Sequence, residues 1–326
     1  MTDISAFDEA RDIENPERSA QRGVLRQAPS RRLAATRLVA IDGFGTGELP
    51  SSDDFEQIDL DYDASNRALW CYLKPMGAPS FTPGLLRDLN SLHATLARRD
   101  LQAGTLLPLY YVVRSRLPGI FNLGGDLALF VDRIRAGDAD GLRRYAQACC
   151  QAVHAVATGF GGPIVTIGLM EGNALGGGLE GALSFHVLIA ERGVKFGFPE
   201  MLFGSFPGMG AYSFLSRRIG MREAEKIILS GKIYSAEEFH ELGLVDILVP
   251  KGGGEDAARS YLASNRSRHA LAHAHQRIRQ KLNPLTLQEL YDITEIWVET
   301  AMALSAGDLR RMERLVAAQN RQNASS

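Results

Sequence analysis

Two glutamates and a run of glycines between residues 170 and 200 have the clearest capacity for chemistry in this chain. Glu180 follows three consecutive glycines, residues 176–178, and Glu200 follows Pro199 further along. Both glutamates have mostly apolar neighbours, and burial of a carboxyl group raises its pKa toward the range useful for acid–base catalysis. Two such carboxyls beside exposed backbone N–H groups would suit chemistry at a thioester carbonyl. The alternative for either glutamate alone is a surface acid or one member of an ion pair.

A second glycine pair lies upstream in residues 121–127, which read FNLGGDL. Glycine lets the backbone approach a ligand with its N–H groups exposed, and a helix that begins there adds its positive end. Neither glycine cluster matches GxxxxGK[ST] or GxGxxG followed by a ribose-binding acid, so a nucleotide site is not favoured. The alternative for the triple glycine is tight packing between a strand and a helix.

The composition is that of an ordinary globular protein, with 45% hydrophobic and 23% charged residues among 326. The formal net charge of −2 offers no basic face for nucleic acid. Cys71, Cys149 and Cys150 lack a CxxC spacing, and we interpret them as reduced core residues of a cytoplasmic protein. Residues 145–170 carry no formal charge, but Gly and Pro residues at 161–163 interrupt them, so we expect no membrane span.

Hydrophobic periodicity predicts strands that alternate with helices. Period-two alternation at residues 58–62 and the apolar run at 67–73 predict a hairpin, and further strands are expected at 107–113, 164–170, 186–190 and 244–249. Helices are predicted to begin at Thr82-Pro83 and at the capping-box segment 235–238. The predicted fold class is therefore α/β, with repeated β-β-α units. We expect a mobile N-terminal arm at 1–50, a catalytic core at 51–250 and a C-terminal helical region at 251–326.

Three segments resemble the crotonase (enoyl-CoA hydratase/isomerase) superfamily: FNLGGDL, EGNALGGGLE and FPEMLFGSFPGMGAYSFL. The resemblance covers about residues 55–250, with the helical tail in the expected place, and it implies a crotonase-like spiral. Within that superfamily these segments, with the TEIWV of residues 294–298, are most similar to the diffusible signal factor synthases. Those enzymes make cis-2-unsaturated fatty acid signals for quorum sensing in bacteria.

The resemblance assigns roles to individual residues. It implies that the N–H groups of Leu123 and Gly177 form the oxyanion hole and that Glu180 and Glu200 are the catalytic acids. The sequence does not show which glutamate is the acid and which the base. Apolar recognition of an acyl chain is expected, and the matching substrate-binding positions are Gly124, Leu175, Gly176, Met209 and Trp297.

The implied reaction is dehydration of a 3-hydroxyacyl thioester and hydrolysis of the thioester to a free cis-2-enoic acid. One alternative is an enoyl-CoA hydratase of fatty-acid breakdown, and another is a non-catalytic binding partner of a sensor kinase. The resemblance further implies a homo-oligomer, as a trimer, and acyl carrier protein as the partner that delivers the substrate. Arg114 and Arg116 are weak candidates for contacting that acidic carrier.

No cofactor and no metal are expected. His269, His273 and His275 include one helical i,i+4 pair, but no Cys or acidic partner completes a ligand set. His186 lies after the helix that follows the triple glycine, and we interpret it as structural.

Overall fold

The structure is a computed structural model that describes residues 49–98 and 108–324, with side chains up to 317. These residues belong to one compact unit. The described part of the chain contains ten strands: β1 (Ile58–Asp63), β2 (Ala68–Leu73), β3 (Tyr110–Ser115), β4 (Ile120–Asn122), β5 (Val165–Met170), β6 (Asn173–Leu175), β7 (Val187–Glu191), β8 (Lys195–Gly197), β9 (Ile233–Ser235) and β10 (Ile247–Val249). The expected arm at 1–50 lies almost wholly outside the described residues.

The same residues contain eleven α-helices: α1 (Pro83–Ala97), α2 (Leu127–Arg135), α3 (Ala139–Ala157), α4 (Gly177–Leu183), α5 (Ala211–Ile219), α6 (Met221–Ser230), α7 (Ala236–Glu241), α8 (Gly254–Asn265), α9 (His269–Leu282), α10 (Leu287–Met302) and α11 (Ala306–Ala324). The caps predicted from sequence are present. The Thr82 side chain accepts the N–H of Leu85 at the start of α1, and Ser235 and Glu238 form a capping box at α7. Among the described residues, no helix is long and apolar enough to cross a bilayer.

The larger sheet has the strand order β1-β2-β3-β5-β7-β10. Strands β1 and β2 form the predicted antiparallel hairpin, and the remaining pairs are parallel. Every residue of β2 and β5 is buried, as expected where helices cover both faces of a parallel sheet. Leu69 and Cys71 lie in the core cluster that includes α1 and α3, whereas Trp70 packs in the cluster that includes α8.

The smaller sheet has the order β4-β6-β8-β9 and sets the position of the site. Three consecutive strand pairs each place their first strand (β3, β5, β7) in the larger sheet and their second (β4, β6, β8) in the smaller one. This arrangement confirms the predicted spiral of β-β units. Successive turns of the spiral are in close contact: a Cβ atom on Gly172 would lie 2.1 Å from the backbone nitrogen of Ile120.

The helical tail packs on the spiral. Helix α10 contacts α3, and α11 contacts both α2 and the 3₁₀ turn Pro199–Phe203. Residues 251–254 form a tight turn that leads into α8, and the N–H of Gly254 donates to the buried Glu191 carboxylate. Cys71, Cys149 and Cys150 are buried free thiols, as the sequence indicated.

Candidate active site

Glu180 is buried in the first turns of α4, just after strand β6. Its side chain is 2% exposed, and its Oε1 atom accepts the N–H groups of Met209 and Ala211 at 2.9 Å each. Burial raises the pKa of Glu180 to about 7, and the backbone donors near residues 209–211 act against that rise because they stabilise the carboxylate. The side chain is therefore fixed in one orientation by two main-chain hydrogen bonds.

The backbone donors to Glu180 depend on a loop that is held by α10. Gly210 has φ +134°, a left-handed conformation that favours glycine, and a Cβ atom there would lie 2.4 Å from the Phe214 ring. The hydroxyl of Thr294 donates to the carbonyl of Gly208 at 2.9 Å. A Cβ atom on Gly208 would lie 2.4 Å from the Trp297 indole. The segments FPGMG (residues 206–210) and TEIWV (residues 294–298), which carry part of the family resemblance, thus contact each other. This contact orients the N–H groups of Met209 and Ala211 toward Glu180.

Glu200 lies on the 3₁₀ turn after strand β8. Its Oε2 atom is buried and has no hydrogen-bond partner among the described residues. Burial, and then the nearby charge of Glu180, raises the pKa of Glu200 to about 8. An unpartnered buried oxygen is less costly on a neutral carboxylic acid than on a carboxylate. The hydrogen bonding therefore favours the proton on Glu200 and the negative charge on Glu180.

Because Gly176 has no side chain, the Glu200 carboxyl can occupy the space next to it. It has φ +54° at the N-terminus of α4, and a Cβ atom there would lie 2.6 Å from Oε1 of Glu200. Real Cβ atoms do not come so close to another heavy atom, so a side chain at position 176 would displace the acid. The triple glycine thus has a specific role at its first position: it brings the second carboxyl beside the start of α4.

The N–H of Gly177 is available to a ligand, as the resemblance predicted. Gly177 is the first residue of α4, where backbone N–H groups have no partner within the helix. Among the described residues it has no acceptor of another kind. The positive end of α4 also favours negative charge at this point.

The predicted role of Leu123 is wrong in this structure. Its N–H donates to the carbonyl of Pro79 at 2.7 Å, so it cannot also bind a thioester oxygen. The next N–H, on Gly124, donates to the Asn122 side chain at 2.8 Å. The N–H of Gly125 has no acceptor among the described residues, and a Cβ atom on Gly177 would lie 3.3 Å from its nitrogen. Gly125 and Gly177 therefore supply two unpaired N–H donors that lie close together in the lining of the same cavity.

The backbone at Gly124 explains why Gly125 is the donor. Gly124 has φ +107°, and a Cβ atom there would lie 3.0 Å from the nitrogen of Gly177 and 3.1 Å from the carbonyl oxygen of Leu175. The backbone at Gly124 therefore packs against the start of α4, and the N–H that follows it, on Gly125, has no acceptor among the described residues. The sequence could have indicated Gly125 as the donor. It is the second glycine of a pair, and the first glycine of such a pair can adopt a left-handed backbone conformation.

A single cavity of about 230 Å³ unites the site. All nine residues that the sequence assigned to catalysis, the oxyanion hole and substrate binding line it, namely Leu123, Gly124, Leu175, Gly176, Gly177, Glu180, Glu200, Met209 and Trp297. Several lining residues were not predicted, among them Gly125, Phe130, Tyr145, Ala146, Cys149, Ser205 and Leu315. Most of these side chains are apolar, so beyond the two carboxyls the cavity suits a hydrocarbon chain.

Tyr145 joins the donor loop to the apolar part of the cavity. Its hydroxyl accepts the N–H of Asp126 at 3.0 Å and donates to the carbonyl of Phe81 at 2.7 Å. Its ring packs edge-on against Phe130, with 5.3 Å between centroids, and Phe130 contacts Trp297 in the same manner at 5.1 Å. The loop that carries the Gly125 donor is thus held by a side chain that also lines the apolar part of the cavity.

The remaining sequence candidates lie away from the cavity. Arg114 pairs with Glu171 and Glu255, and Arg116 pairs with Asp59. His186 uses both ring nitrogens for main-chain contacts, with Thr166 and with Ala157, in agreement with a structural role. His269 contacts the carbonyls of Pro163 and Leu109. Within the described ranges, no three His, Cys, Asp or Glu side chains are grouped as metal ligands would be.

Comparison with known proteins places this site in a family. The sequence pattern of the family described as enoyl-CoA hydratase/isomerase matches residues 110–303, which is more than half of the chain. A peroxisomal fatty acid β-oxidation multifunctional protein of Arabidopsis thaliana, AIM1, is 41% identical over 95 residues. A glyoxysomal counterpart of Brassica napus, MFP-a, is 40% identical over 96 residues. These stretches cover 29% of this chain and 13% of each relative, so the chain spans a small part of the curated relatives it matches.

Solved structures agree on the fold. DspI of Pseudomonas aeruginosa is 26% identical, with a TM-score of 0.62 over 77% of this chain and 91% of that protein. An enoyl-CoA hydratase of Bacillus halodurans is 23% identical, with a TM-score of 0.65 over 79% of this chain and all of that one. The family match covers β3 to α10, which are the elements that carry the two free N–H groups and both carboxyls. The chain belongs to the enoyl-CoA hydratase/isomerase family and has the crotonase fold.

Proposed function

We propose that this protein dehydrates a 3-hydroxyacyl thioester and hydrolyses the product to a free cis-2-enoic acid, a fatty acid signal. One observation carries the proposal: two buried carboxyls, both with a raised pKa, share an apolar cavity with two free N–H groups. Removal of water across the α,β bond requires one base, one acid and stabilisation of an enolate. The cavity supplies all three from residues of the chain itself.

The N–H groups of Gly125 and Gly177 would receive the thioester oxygen. Negative charge develops on that oxygen as the α-proton leaves, and both donors are fixed in the backbone before substrate binds. Loss of one donor of this kind typically lowers turnover about 100- to 1000-fold. The arrangement acidifies the α-carbon without a metal ion or a cofactor taking part in any proposed step.

The two glutamates would move the protons. The ionised carboxyl takes the α-proton, and the protonated carboxyl gives its proton to the departing hydroxyl, so that an enoyl thioester and one water form. Groups of this kind contribute about 100- to 10,000-fold each. By microscopic reversibility the two carboxyls exchange roles when the reaction runs toward hydration. After one dehydration the site again contains one acid and one carboxylate.

The same groups can carry out the hydrolysis. The newly ionised glutamate takes a proton from water as the water oxygen attacks the thioester carbon. Gly125 and Gly177 then hold the tetrahedral oxyanion, and the carbon–sulfur bond breaks as the sulfur receives a proton. The water released in the first reaction replaces the water consumed in the second, so the overall change is a 3-hydroxyacyl thioester to an enoic acid and a thiol.

Incubation of the purified protein with 3-hydroxydodecanoyl acyl carrier protein tests the proposal. Mass spectrometry should detect free cis-2-dodecenoic acid, and Glu180→Ala/Glu200→Ala protein, prepared in parallel, should release none. If the enoic acid stays bound as a thioester, the hydrolysis step is wrong. If no dehydration occurs at all, the main proposal fails.

An enoyl-CoA hydratase is the second candidate, and the similarity to β-oxidation proteins favours it. The site described here serves hydration equally well. Rapid hydration of crotonyl-CoA, together with no free acid from the carrier-bound substrate, would establish this candidate instead.

The proposed partners follow from the resemblance. Acyl carrier protein would deliver the substrate, a trimer is the expected assembly, and a sensor kinase is a further binding partner to test. Sedimentation of the purified protein measures the assembly. The proposed cytoplasmic location can be checked by fractionating cells that express the chain.

A further inference from the structure

We propose that the outer face of α11 is the docking surface for the acidic carrier protein that delivers the thioester. The proposal rests on the proposed function, because it names the carrier of that substrate. It also replaces the sequence-based candidates Arg114 and Arg116, which lie outside the cavity lining and are already paired with acidic residues. Lys74 is also occupied, because it pairs with Asp59.

Helix α11 covers the catalytic cavity. Leu309 and Met312 are buried beneath it, and Leu315 lines the cavity itself. Arg135 of α2 pairs with Glu313 at 2.8 Å, which fastens α11 to the helix that follows the oxyanion loop. A protein bound to the outer face of α11 would therefore lie one helix thickness from the reacting groups.

The outer face of α11 carries three exposed arginines. Arg310 and Arg314 lie four residues apart on the same side of the helix, and Arg311 lies beside Arg310. Arg311 pairs with Asp308. Within the described residues, Arg310 and Arg314 have no ion-pair partner. Two unpaired guanidinium groups one turn apart match the spacing of acidic side chains along a partner helix.

Exposed apolar side chains lie on the turn that contacts α11. Met201 and Leu202, on the 3₁₀ turn that also carries Glu200, are 38% and 60% exposed. That turn contacts α11, and a Cβ atom on Gly204 would lie 3.4 Å from the side chains of Asp308 and Leu304. Interfaces combine an apolar centre with a charged rim. Residues 201–202 and 310–314 supply both, on the turn and the helix that contribute Glu200 and Leu315 to the cavity lining.

An acidic carrier fits this surface better than a second copy of the chain. The chain has a formal net charge of −2, so it offers no general excess of acidic charge to pair with the arginines. Carrier proteins are acidic and present their thioester on a flexible arm, so charge complementarity would speed the encounter and align the arm with the cavity.

The test compares two substrates with the double variant Arg310→Glu/Arg314→Glu. The first is 3-hydroxydodecanoyl carrier protein, and the second is the same acyl group on pantetheine, which lacks the protein. We expect KM for the carrier-bound substrate to rise about tenfold or more, with kcat maintained and KM for the pantetheine thioester within twofold of wild type. The wild-type KM for the carrier-bound substrate should also rise with salt, and that dependence should weaken in the variant.

The matched control is Arg277→Glu/Lys281→Glu, which makes the same change in charge at the same spacing on α9. Helix α9 does not line the catalytic cavity, so this variant should behave as wild type. An unchanged carrier KM in the α11 variant would overturn the proposal. So would an equal rise for both substrates, an equal rise in the control, or a rise for the pantetheine thioester alone.

Binding of carrier protein without an acyl group separates this proposal from the proposed reaction. Fluorescence anisotropy with labelled holo carrier protein should show affinity for wild type and at least tenfold weaker affinity for the α11 variant. This measurement decides the docking proposal even if the wild type dehydrates neither substrate. Equal binding by both proteins would overturn it.

Discussion

Glu180 and Glu200 lie in the same cavity, but the structure holds the two side chains in different ways. Glu180 extends from a regular helix and accepts two main-chain N–H groups. Glu200 lies on a short 3₁₀ turn, and one of its oxygens has no partner among the described residues. Burial raises both pKa values, and repulsion between the two carboxylates opposes the ionisation of both at once. The two chemically identical side chains thus differ in hydrogen bonding, which favours charge on Glu180 and the proton on Glu200.

The largest expected effect comes from removing either proton carrier. Glu180→Gln and Glu200→Gln should each lower turnover about 100- to 10,000-fold, because each removes one of the two proton transfers. The glutamine at position 180 can still accept the N–H groups of Met209 and Ala211, so the fold should be kept. Exchange of the substrate α-proton in D₂O, measured by NMR, should survive in only one of the two variants and so identify the base. Retention of more than a tenth of wild-type turnover by either variant would contradict the shared roles.

A second prediction tests the space beside Glu200. Gly176→Ala places a methyl group where Oε1 of Glu200 now lies, and a displacement of about 1 Å at a reacting group can cost about 100-fold in rate. The control is Gly137→Ala, which has a similar positive φ of +67° but nothing within 4 Å of the added atom. Both variants should lose stability through backbone strain, but only Gly176→Ala should lose turnover. Equal activity in the two variants would show that Glu200 tolerates a shift.

The third prediction concerns stability at high pH. The pKa of Glu200 is about 8 in the folded protein against 4.5 for the ordinary side chain, so the folded state binds this proton more tightly than the unfolded state. Its contribution to stability is complete below pH 4.5 and is lost as pH rises through 8. Glu200→Gln should therefore be more stable than wild type at pH 9, by up to about 5 kcal/mol, and differ little at pH 5.

Urea unfolding at the two pH values measures this difference. Glu180→Gln should show a smaller gain at pH 9, because the pKa of Glu180 is raised less and its carboxylate is hydrogen-bonded. A larger gain for Glu180→Gln than for Glu200→Gln would show that Glu180, and not Glu200, holds its proton more tightly in the folded protein.

The pH dependence of kcat/KM is the fourth and smallest effect. The reaction needs one ionised and one protonated carboxyl, so kcat/KM should be greatest between about pH 7 and 8. The value of kcat/KM should fall about tenfold per pH unit on either side of this range. The acidic and basic limbs of the profile give apparent pKa values of the coupled pair, and not those of single residues. A pantetheine thioester should be used, so that ionisation of a carrier protein does not contribute. A profile that is flat from pH 6 to 9 would show that the two groups do not titrate as the structure indicates.

Much of the fold could be predicted from sequence because long apolar runs carry the signal. Strands β1, β2, β3 and β5 each have six residues, enough for alternation or continuous burial to be visible. The strands of the smaller sheet have three residues each. A period cannot be recognised over three residues, so that sheet was not predicted from the chain itself.

The site was predicted in part, for a related reason. Side-chain chemistry at Glu180 and Glu200 is visible in the sequence, but the direction of a backbone N–H is not. The donor at Gly125 depends on a φ of +107° at Gly124, and the exclusion of Leu123 depends on a carbonyl 44 residues earlier, that of Pro79. Leu315 reaches the cavity only because α11 packs across the spiral. Contacts over such distances along the chain need the tertiary fold.

The smaller sheet has a consequence for how this site can change. Gly125, Gly177 and Glu200 each follow the carboxyl end of one of its three neighbouring parallel strands, β4, β6 and β8. Neighbouring strands lie about 4.8 Å apart in any sheet. Main-chain pairing between these strands therefore sets the distances between the three groups. The apolar part of the cavity is lined by side chains from α2, α3, α10 and α11. Substitutions on those helices can therefore change the shape of the apolar part without moving the N–H groups and the carboxyl at the strand ends.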